Sequence, residues 1–135
     1  MKALKARITK GLNHGSQVET CDNSGAKLVR IVSVKGSGSK TVRGRKPRCG
    51  LADLVLVSVV KGDSAMRKQV VLAVIVRQRK EYRRKDGTRI KFADNAVVVL
   101  KDDKGTPKGT MFKGAIAKEV AERWPAIAKV ADILV

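Results

Sequence analysis

The chain has very few of the side chains that carry catalysis or bind metals. It contains two cysteines, Cys21 and Cys49, and one histidine, His14, among 135 residues. Neither cysteine belongs to a CxxC pair and His14 has no second histidine at metal-ligand spacing, which argues against a zinc site. Acid–base catalysis usually needs two titratable groups in different environments, and none accompanies His14. The sequence therefore indicates no enzyme, no metal and no cofactor, and we expect both cysteines to be free thiols.

Aromatic residues and long apolar runs are also scarce. Only Tyr82, Phe92, Phe112 and Trp124 are aromatic, and only Tyr82 lies in a basic segment. A free-standing single-strand binder or RNA chaperone would stack bases on exposed aromatic rings, so this alternative has little support. No apolar run approaches the roughly 20 residues that a membrane-spanning helix needs, and the first residues lack the apolar centre of a signal peptide. We therefore expect a cytoplasmic protein with no membrane partner.

Acidic residues are the third shortage. The chain has 30 lysines and arginines but only 12 acidic residues, so the formal net charge is +18 and the sequence pI is about 10.5. Such an excess favours a polyanionic partner, above all a nucleic acid. At this length we expect one domain over residues 1–135, with a core at about 16–101 and a C-terminal part of loops and helices at about 102–135.

Apolar and β-branched residues occur in short runs that predict five or more strands. The strands are expected near residues 17–21, 26–34, 53–61, 70–76 and 97–100. The run at 70–76 is apolar without interruption, which is typical of a strand buried on both faces. Alternation breaks around Arg30, which predicts a bulge or a bend there. Because no helical pattern of crossover length separates these runs, they predict a small closed β-barrel.

Two basic arms interrupt the strands. The 36–49 arm is rich in glycine and serine and has no acidic residue, whereas the 77–91 arm is a hairpin whose Asp86-Gly87 pair predicts a type I′ turn. A solvated loop is the plainer interpretation of each arm, but such one-sided charge favours phosphate binding. The candidate RNA-binding residues are Lys40, Arg43, Arg45, Lys46, Arg48, Arg77, Arg79, Lys80, Arg83, Arg84, Lys85 and Arg89.

The period of the apolar residues changes to that of a helix near the end of the chain. Ile116, Val120 and Trp124 recur every four residues, which predicts a helix from Ile116 to Arg123 with these side chains inward and Lys118, Glu119 and Glu122 outward. Pro125 ends this helix and is expected to start a second one. The mixed charge of the first helix favours a protein partner, and the candidate contact residues are Ala117, Lys118, Ala121 and Glu122.

These motifs together resemble one known family, that of universal large-subunit ribosomal protein fourteen. The resemblance rests on the apolar run 73–76, on Asp86-Gly87 after nine intervening residues, and on Phe92, Asn95, Val98 and Val99. The stretches 22–26 and 113–119 are similar to two further landmarks of the family, and the basic lead-in is similar to that of archaeal members. The family usually has proline where this chain has Ala115, which implies a less rigid start to the first helix.

The resemblance implies a fold and a function beyond what charge and periodicity show. Members of this family have a five-stranded β-barrel with a C-terminal extension of short helices, which makes the fold class mainly β. They bind large-subunit rRNA, face the small subunit and its rRNA, and contact neighbouring ribosomal proteins. In several lineages a factor that prevents subunit association docks on them. The expected function is therefore that of a structural component of the large ribosomal subunit.

Overall fold

The architecture is a small β-barrel with short peripheral elements. A computed structural model describes residues 1–36, 41 and 43–135. Its elements, in chain order, are β1 (Leu12–Asn13), β2 (Gln17–Thr20), β3 (Ala26–Val34), β4 (Arg48–Cys49), β5 (Leu54–Gly62), β6 (Val70–Arg77), β7 (Tyr82–Arg83), β8 (Arg89–Ile90), β9 (Ala96–Leu100), β10 (Ala115–Ile116), α1 (Lys118–Arg123), α2 (Pro125–Ala128) and β11 (Ile133–Leu134). The five longest strands close in the order β2-β3-β5-β6-β9. The prediction of a closed, mainly β barrel is confirmed.

Strand β9 and residues 73–76 of β6 are buried on both faces, which explains their unbroken apolar sequence. Ala73, Ile75, Val97 and Val99 point into one core cluster with the inward residues of β3 and β5. Their chain neighbours belong to a second cluster, which the C-terminal helices cover; it contains Val74, Val76, Val98, Leu100, Ile116, Val120, Trp124 and Ile127. The prediction of a doubly buried strand at 70–76 is confirmed for residues 73–76, whereas Val70 is 59% exposed at the start of β6.

The pairing of β3 with β5 is irregular on both sides of Arg30. Arg30 itself pairs with Ser58, but the register shifts between Leu28 and Val29 and again between Ile31 and Ser33. Such bulges bend a strand, and a small barrel needs bent strands in order to close. The irregularity that the broken alternation predicts is present, although it flanks Arg30 and does not fall on it.

The turn of the 77–91 arm differs from the predicted one. Arg83 pairs with Arg89, and the Arg84 N–H donates to the Thr88 carbonyl at 2.8 Å, which leaves a loop of three residues. Gly87 has a φ of 90° and Asp86 has no positive φ, whereas a type I′ turn is a two-residue loop with two positive φ values. The type I′ assignment is wrong. The Asp86 carboxylate accepts from the Thr88 N–H at 2.9 Å, and this hydrogen bond lowers the pKa of Asp86.

The C-terminal segment forms two helices and buries Ile116, Val120 and Trp124 as predicted, but the first helix starts later than expected. Helix α1 starts at Lys118, because Ala115–Ile116 pairs in parallel with Ile133–Leu134 as β10 and β11. Trp124 is buried as predicted, and its indole N–H donates to the Ala52 carbonyl at 2.9 Å. Glu119, expected to face outward, is only 6% exposed because its carboxylate has protein partners.

The tight turn at residues 22–25 is anchored to the far end of the barrel sequence. The buried Asp22 carboxylate accepts from the Val99 N–H at 2.9 Å and from the Ser24 hydroxyl at 2.8 Å. The neighbouring Asn23 side chain accepts from the Thr110 N–H at 2.8 Å. These bonds fasten the turn between β2 and β3 to β9 and to the loop beyond it.

We expect the substitution Asp22→Ala to lower the free energy of unfolding by about 1–3 kcal/mol, because the buried Val99 N–H loses its acceptor. Urea unfolding followed by circular dichroism measures the change. Asp103→Ala is the matched control, because Asp103 is exposed and we expect its loss to change stability by less than about 0.5 kcal/mol. Equal effects of the two substitutions would contradict the anchoring role.

The two cysteines are buried free thiols in separate core clusters. Burial raises the pKa of both Cys21 and Cys49 from 9.0 to about 12. In the unfolded chain the thiolates form as the pH rises above about 9, whereas the folded chain keeps its protons until about 12. Stability is therefore retained below about pH 9 and falls between pH 9 and 12.

We expect alkylation of the native protein at pH 8 to be slow at both cysteines. An unperturbed thiol is ionised to about one part in ten at this pH, and a thiol with a pKa near 12 to about one part in ten thousand. In denaturant without reductant, mass spectrometry should show both thiols modified. Equally fast labelling of the native and denatured proteins would show that the thiols are accessible.

Candidate nucleic-acid interface

A buried glutamine joins the bases of the two basic arms. Gln78, directly after β6, is fully buried. Its side-chain oxygen accepts from the Leu51 N–H at 3.1 Å, and its amide donates to the Thr9 carbonyl at 2.8 Å and to the Lys80 carbonyl at 2.9 Å. Leu51 follows the 36–49 arm, Lys80 lies near the start of the 77–91 arm, and Thr9 belongs to the N-terminal lead-in, residues 1–14. A single side chain thus sets the spacing of three basic segments.

The lead-in runs between the arms and contacts both. Leu12 pairs with Cys49 at the end of the 36–49 arm, and the His14 N–H donates to the Pro47 carbonyl at 3.2 Å. On the other side, a Cβ added at Gly11 would lie 2.5 Å from the Cβ of Lys80, so only glycine allows the backbone to come this close. Both arms and the lead-in therefore converge at one region of the barrel.

Most of the candidate RNA-binding cations are exposed on these arms. Lys40 lies outside the described residues. The exposed members of the set are Arg43, Arg45, Lys46, Arg48, Arg79, Lys80, Arg83, Lys85 and Arg89. Of these, Arg89 contacts the Glu81 carboxylate at 3.3 Å. Such a surface ion pair contributes little free energy, so Arg89 can leave Glu81 and bind a phosphate at little cost. The remaining cations of this exposed group have no ion-pair partner among the described residues.

Arg77 is committed to contacts within the protein. Its guanidinium binds the Asp94 carboxylate through two nitrogens, at 2.9 and 3.0 Å. Its remaining terminal nitrogen donates to the Lys113 carbonyl at 2.8 Å and to the Ala115 carbonyl at 3.0 Å. A bidentate pair of this kind is a strong and directional contact. Arg77 therefore links β6 to β10 and has little capacity left for a phosphate.

Arg84 is likewise engaged by the C-terminal segment. Its Nε donates to the Glu119 carboxylate at 2.7 Å, and Nη2 donates to the Val135 carbonyl. The Tyr82 hydroxyl donates to the other Glu119 oxygen at 2.9 Å. Burial, together with the bond to Glu119, raises the pKa of Tyr82 to about 12. Tyr82 is 1% exposed, so the aromatic ring of this arm is not available for base stacking.

The candidate protein-contact residues divide in the same way. Ala117 is fully buried, because it packs in the core cluster just before α1, and it presents no surface to a partner. Lys118 and Glu122 are exposed and Ala121 is half-buried. Lys118 and Glu122 border a groove of about 320 Å³, and residues of the hairpin arm line its other part. Its lining residues are Lys5, Ala6, Arg84, Lys85, Asp86, Lys118, Glu119 and Glu122.

Sequence reasoning missed the residues that hold this interface together. Gln78, Asp94 and Glu119 form its internal bonds, and nothing in their local sequence identifies their partners. The one available signal is the position of Gln78, an uncharged polar residue between Arg77 and Arg79. A neutral amide at that position is consistent with a buried structural role, because an amide both donates and accepts hydrogen bonds.

The described residues form neither a metal cluster nor a membrane-spanning helix. Within residues 1–36, 41 and 43–135, no group of three or more histidine, cysteine, aspartate or glutamate side chains is placed to hold a metal ion. No helix in that part of the chain has the length and apolar character needed to cross a membrane.

Comparison with known proteins identifies close relatives over the whole chain. The model of the family described as Ribosomal protein L14p/L23e matches residues 11–135. A large ribosomal subunit protein uL14 from Nanoarchaeum equitans is 55% identical over 138 residues, and that from Halobacterium salinarum is 51% identical over 135 residues. The uL14 protein of Halorubrum lacusprofundi is 51% identical over 136 residues. In each case the similarity covers 100% of both chains.

Proposed function

Because the chain belongs to the ribosomal protein L14p/L23e family, we propose that it binds large-subunit rRNA through its two basic arms at the face that meets the small subunit. Membership in this family makes the chain a structural protein of the large ribosomal subunit and not an enzyme. Its place of action is then the ribosome in the cytoplasm.

The observation that carries the proposal is the convergence of the bases of both arms at Gln78. The amide of Gln78 bonds to the lead-in and to the start of the hairpin, while its oxygen holds Leu51. Cations on a preordered scaffold lose less conformational entropy on binding than cations on free loops. Two arms at a set separation suit a site where separate rRNA segments meet.

The mode of binding that we propose is contact with phosphates and with the shape of folded RNA. Single-strand binders without sequence preference need exposed aromatic rings. Here Tyr82, Phe112 and Trp124 are buried and Phe92 is half-buried. No aromatic residue in the described part of the chain is exposed, so the alternative of a free-standing RNA chaperone has little support.

We assign the exposed side of α1 to protein contacts. Lys118, Ala121 and Glu122 are the residues proposed to meet a neighbouring ribosomal protein or a factor that prevents subunit association. Small-subunit rRNA is the further partner expected across the interface. The hairpin arm and α1 line one groove, so these partners would bind side by side.

Crosslinking of the protein inside purified ribosomes tests the proposal. We expect peptides of both arms to crosslink to large-subunit rRNA and Lys118 to crosslink to a protein. We also expect residues at the subunit face to lose reagent accessibility when the small subunit joins. Arm peptides that crosslink to no rRNA would contradict the RNA-binding role, and unchanged accessibility on subunit joining would contradict the location.

A further inference from the structure

The geometry points to a phosphate-binding groove between the N-terminal lead-in and the hairpin arm. Residues of both segments line this groove. This inference rests on the proposed function, because the phosphate belongs to the backbone of the bound rRNA. It adds Lys5 and Arg7 to the RNA-binding residues and gives the lead-in a function of its own.

The groove has a volume of about 330 Å³ and is lined from two sides by cations. Lys5, Ala6 and Arg7 form the wall from the lead-in, and Arg83, Arg84 and Lys85 form the wall from the hairpin. Because Ala6 has a small side chain, the lead-in can lie close to the hairpin. The lining contains no acidic residue and no aromatic ring.

Half-buried and exposed residues alternate along the lead-in, and this alternation places Lys5 and Arg7 at the groove. Leu4, Ala6 and Ile8 are half-buried, whereas Lys5 and Arg7 are exposed. Leu4 and Ile8 pack against the second core cluster. Hydrogen bonds to the backbone hold the segment at both ends. The Lys2 N–H donates to the Arg123 carbonyl at 2.9 Å, and the Gln78 side-chain amide donates to the Thr9 carbonyl at 2.8 Å.

The charge of the groove is not balanced within the protein. The guanidinium of Arg84 is paired with Glu119. Lys5, Arg7, Arg83 and Lys85 form no ion pair among the described residues. A cleft lined by charges of one sign concentrates the field and attracts the opposite charge. An anion between the two walls relieves the mutual repulsion of these cations.

The groove that Lys118 and Glu122 border shares Lys5, Ala6, Arg84 and Lys85 with this one but differs in charge. That groove, about 320 Å³ in volume, contains the carboxylates of Asp86, Glu119 and Glu122 together with cations. Carboxylates repel a phosphate, so the RNA backbone is expected to follow only the side with Arg7 and Arg83. Arginine and lysine on opposite walls can contact both non-bridging oxygens of one phosphodiester.

The test uses the full chain with deproteinised large-subunit rRNA as the probe. We expect the double variant Lys5→Ala/Arg7→Ala to flatten the slope of log affinity against log salt concentration by about 1.4–1.8, which corresponds to two lost phosphate contacts. At about 0.1 M salt its affinity should fall roughly 25- to 60-fold. Lys101→Ala/Lys104→Ala, which removes the same charge from the turn after β9, should have a much smaller effect.

A second measurement needs no variant. Acylation of lysines in the wild-type protein should show that RNA protects Lys5 and Lys85 but leaves Lys101 and Lys104 reactive. An unchanged salt slope in the Lys5/Arg7 variant, or equal reactivity of Lys5 with and without RNA, would overturn the groove. If the wild-type protein itself bound this rRNA weakly and with little salt dependence, the proposed function would fail first.

Discussion

Joint replacement of Arg79, Lys80, Arg83 and Lys85 with alanine is expected to weaken binding to large-subunit rRNA on the order of a thousandfold at about 0.1 M salt. Each phosphate contact contributes roughly 0.7–0.9 to the slope of log affinity against log salt, or about five- to eightfold at this salt concentration. Four lost contacts together give the roughly thousandfold loss of affinity and flatten the slope by about 3. All four side chains are exposed, so the fold should survive.

The control for this variant removes the same charge elsewhere. Lys61, Arg67, Lys101 and Lys104 are exposed and lie outside both arms. Replacing them with alanine lowers the net charge by the same amount, so it tests whether the effect is only one of total charge. Equal losses of affinity in the two variants would show that the arms have no special role. Arg84 is left intact in both variants, because its loss would disturb the contact with Glu119.

Glu119→Ala is expected to lower the free energy of unfolding by about 3 kcal/mol. The substitution leaves the Arg84 guanidinium, whose side chain is 17% exposed, without its carboxylate, and it leaves the buried Tyr82 hydroxyl without an acceptor. Removing one partner of a largely buried ion pair typically costs about 3–5 kcal/mol, and the partial exposure of Arg84 favours the lower figure. Thermal unfolding should show a Tm lower by about 10 °C.

Two further variants separate the causes. Glu119→Gln keeps an acceptor for Tyr82 but removes the charge, so its loss of stability should lie between those of Glu119→Ala and wild type. Glu122→Ala is the matched control on the same helix, because Glu122 is exposed, and a change below about 0.5 kcal/mol is expected. If Glu119→Ala were no worse than Glu122→Ala, the Glu119 contact would not hold the hairpin to α1.

The barrel was predictable from sequence because its strands carry their own signal. The β-branched runs of β5, β6 and β9 fit a sheet that is buried on one or both faces, and turn residues mark their ends. The closure of the sheet followed from the absence of helical crossovers. None of these inferences required knowledge of a distant partner.

The charged part of the interface was less predictable because its contacts depend on partners that are distant in the sequence. Arg77 and Arg84 look like their exposed neighbours in sequence, and their partners Asp94 and Glu119 lie 17 and 35 residues away. Helical periodicity placed Glu119 outward because it counts only polarity. Ile116 was included in the expected helix for the same reason, since its strand partner Leu134 is at the end of the chain. Tertiary hydrogen bonds decided each of these positions.

The parallel pairing of β2 with β9 has a consequence for how the protein is made. Glu19 pairs with Ala96 and Thr20 with Val97, so the barrel closes only when nearly the whole sheet-forming chain is available. At a synthesis rate of about 5–20 residues per second, β9 is completed several seconds after β2. Closing such a long loop is slow compared with the formation of a local hairpin. One edge of β2 therefore remains unpaired on a highly cationic nascent chain until β9 leaves the ribosome that synthesises it.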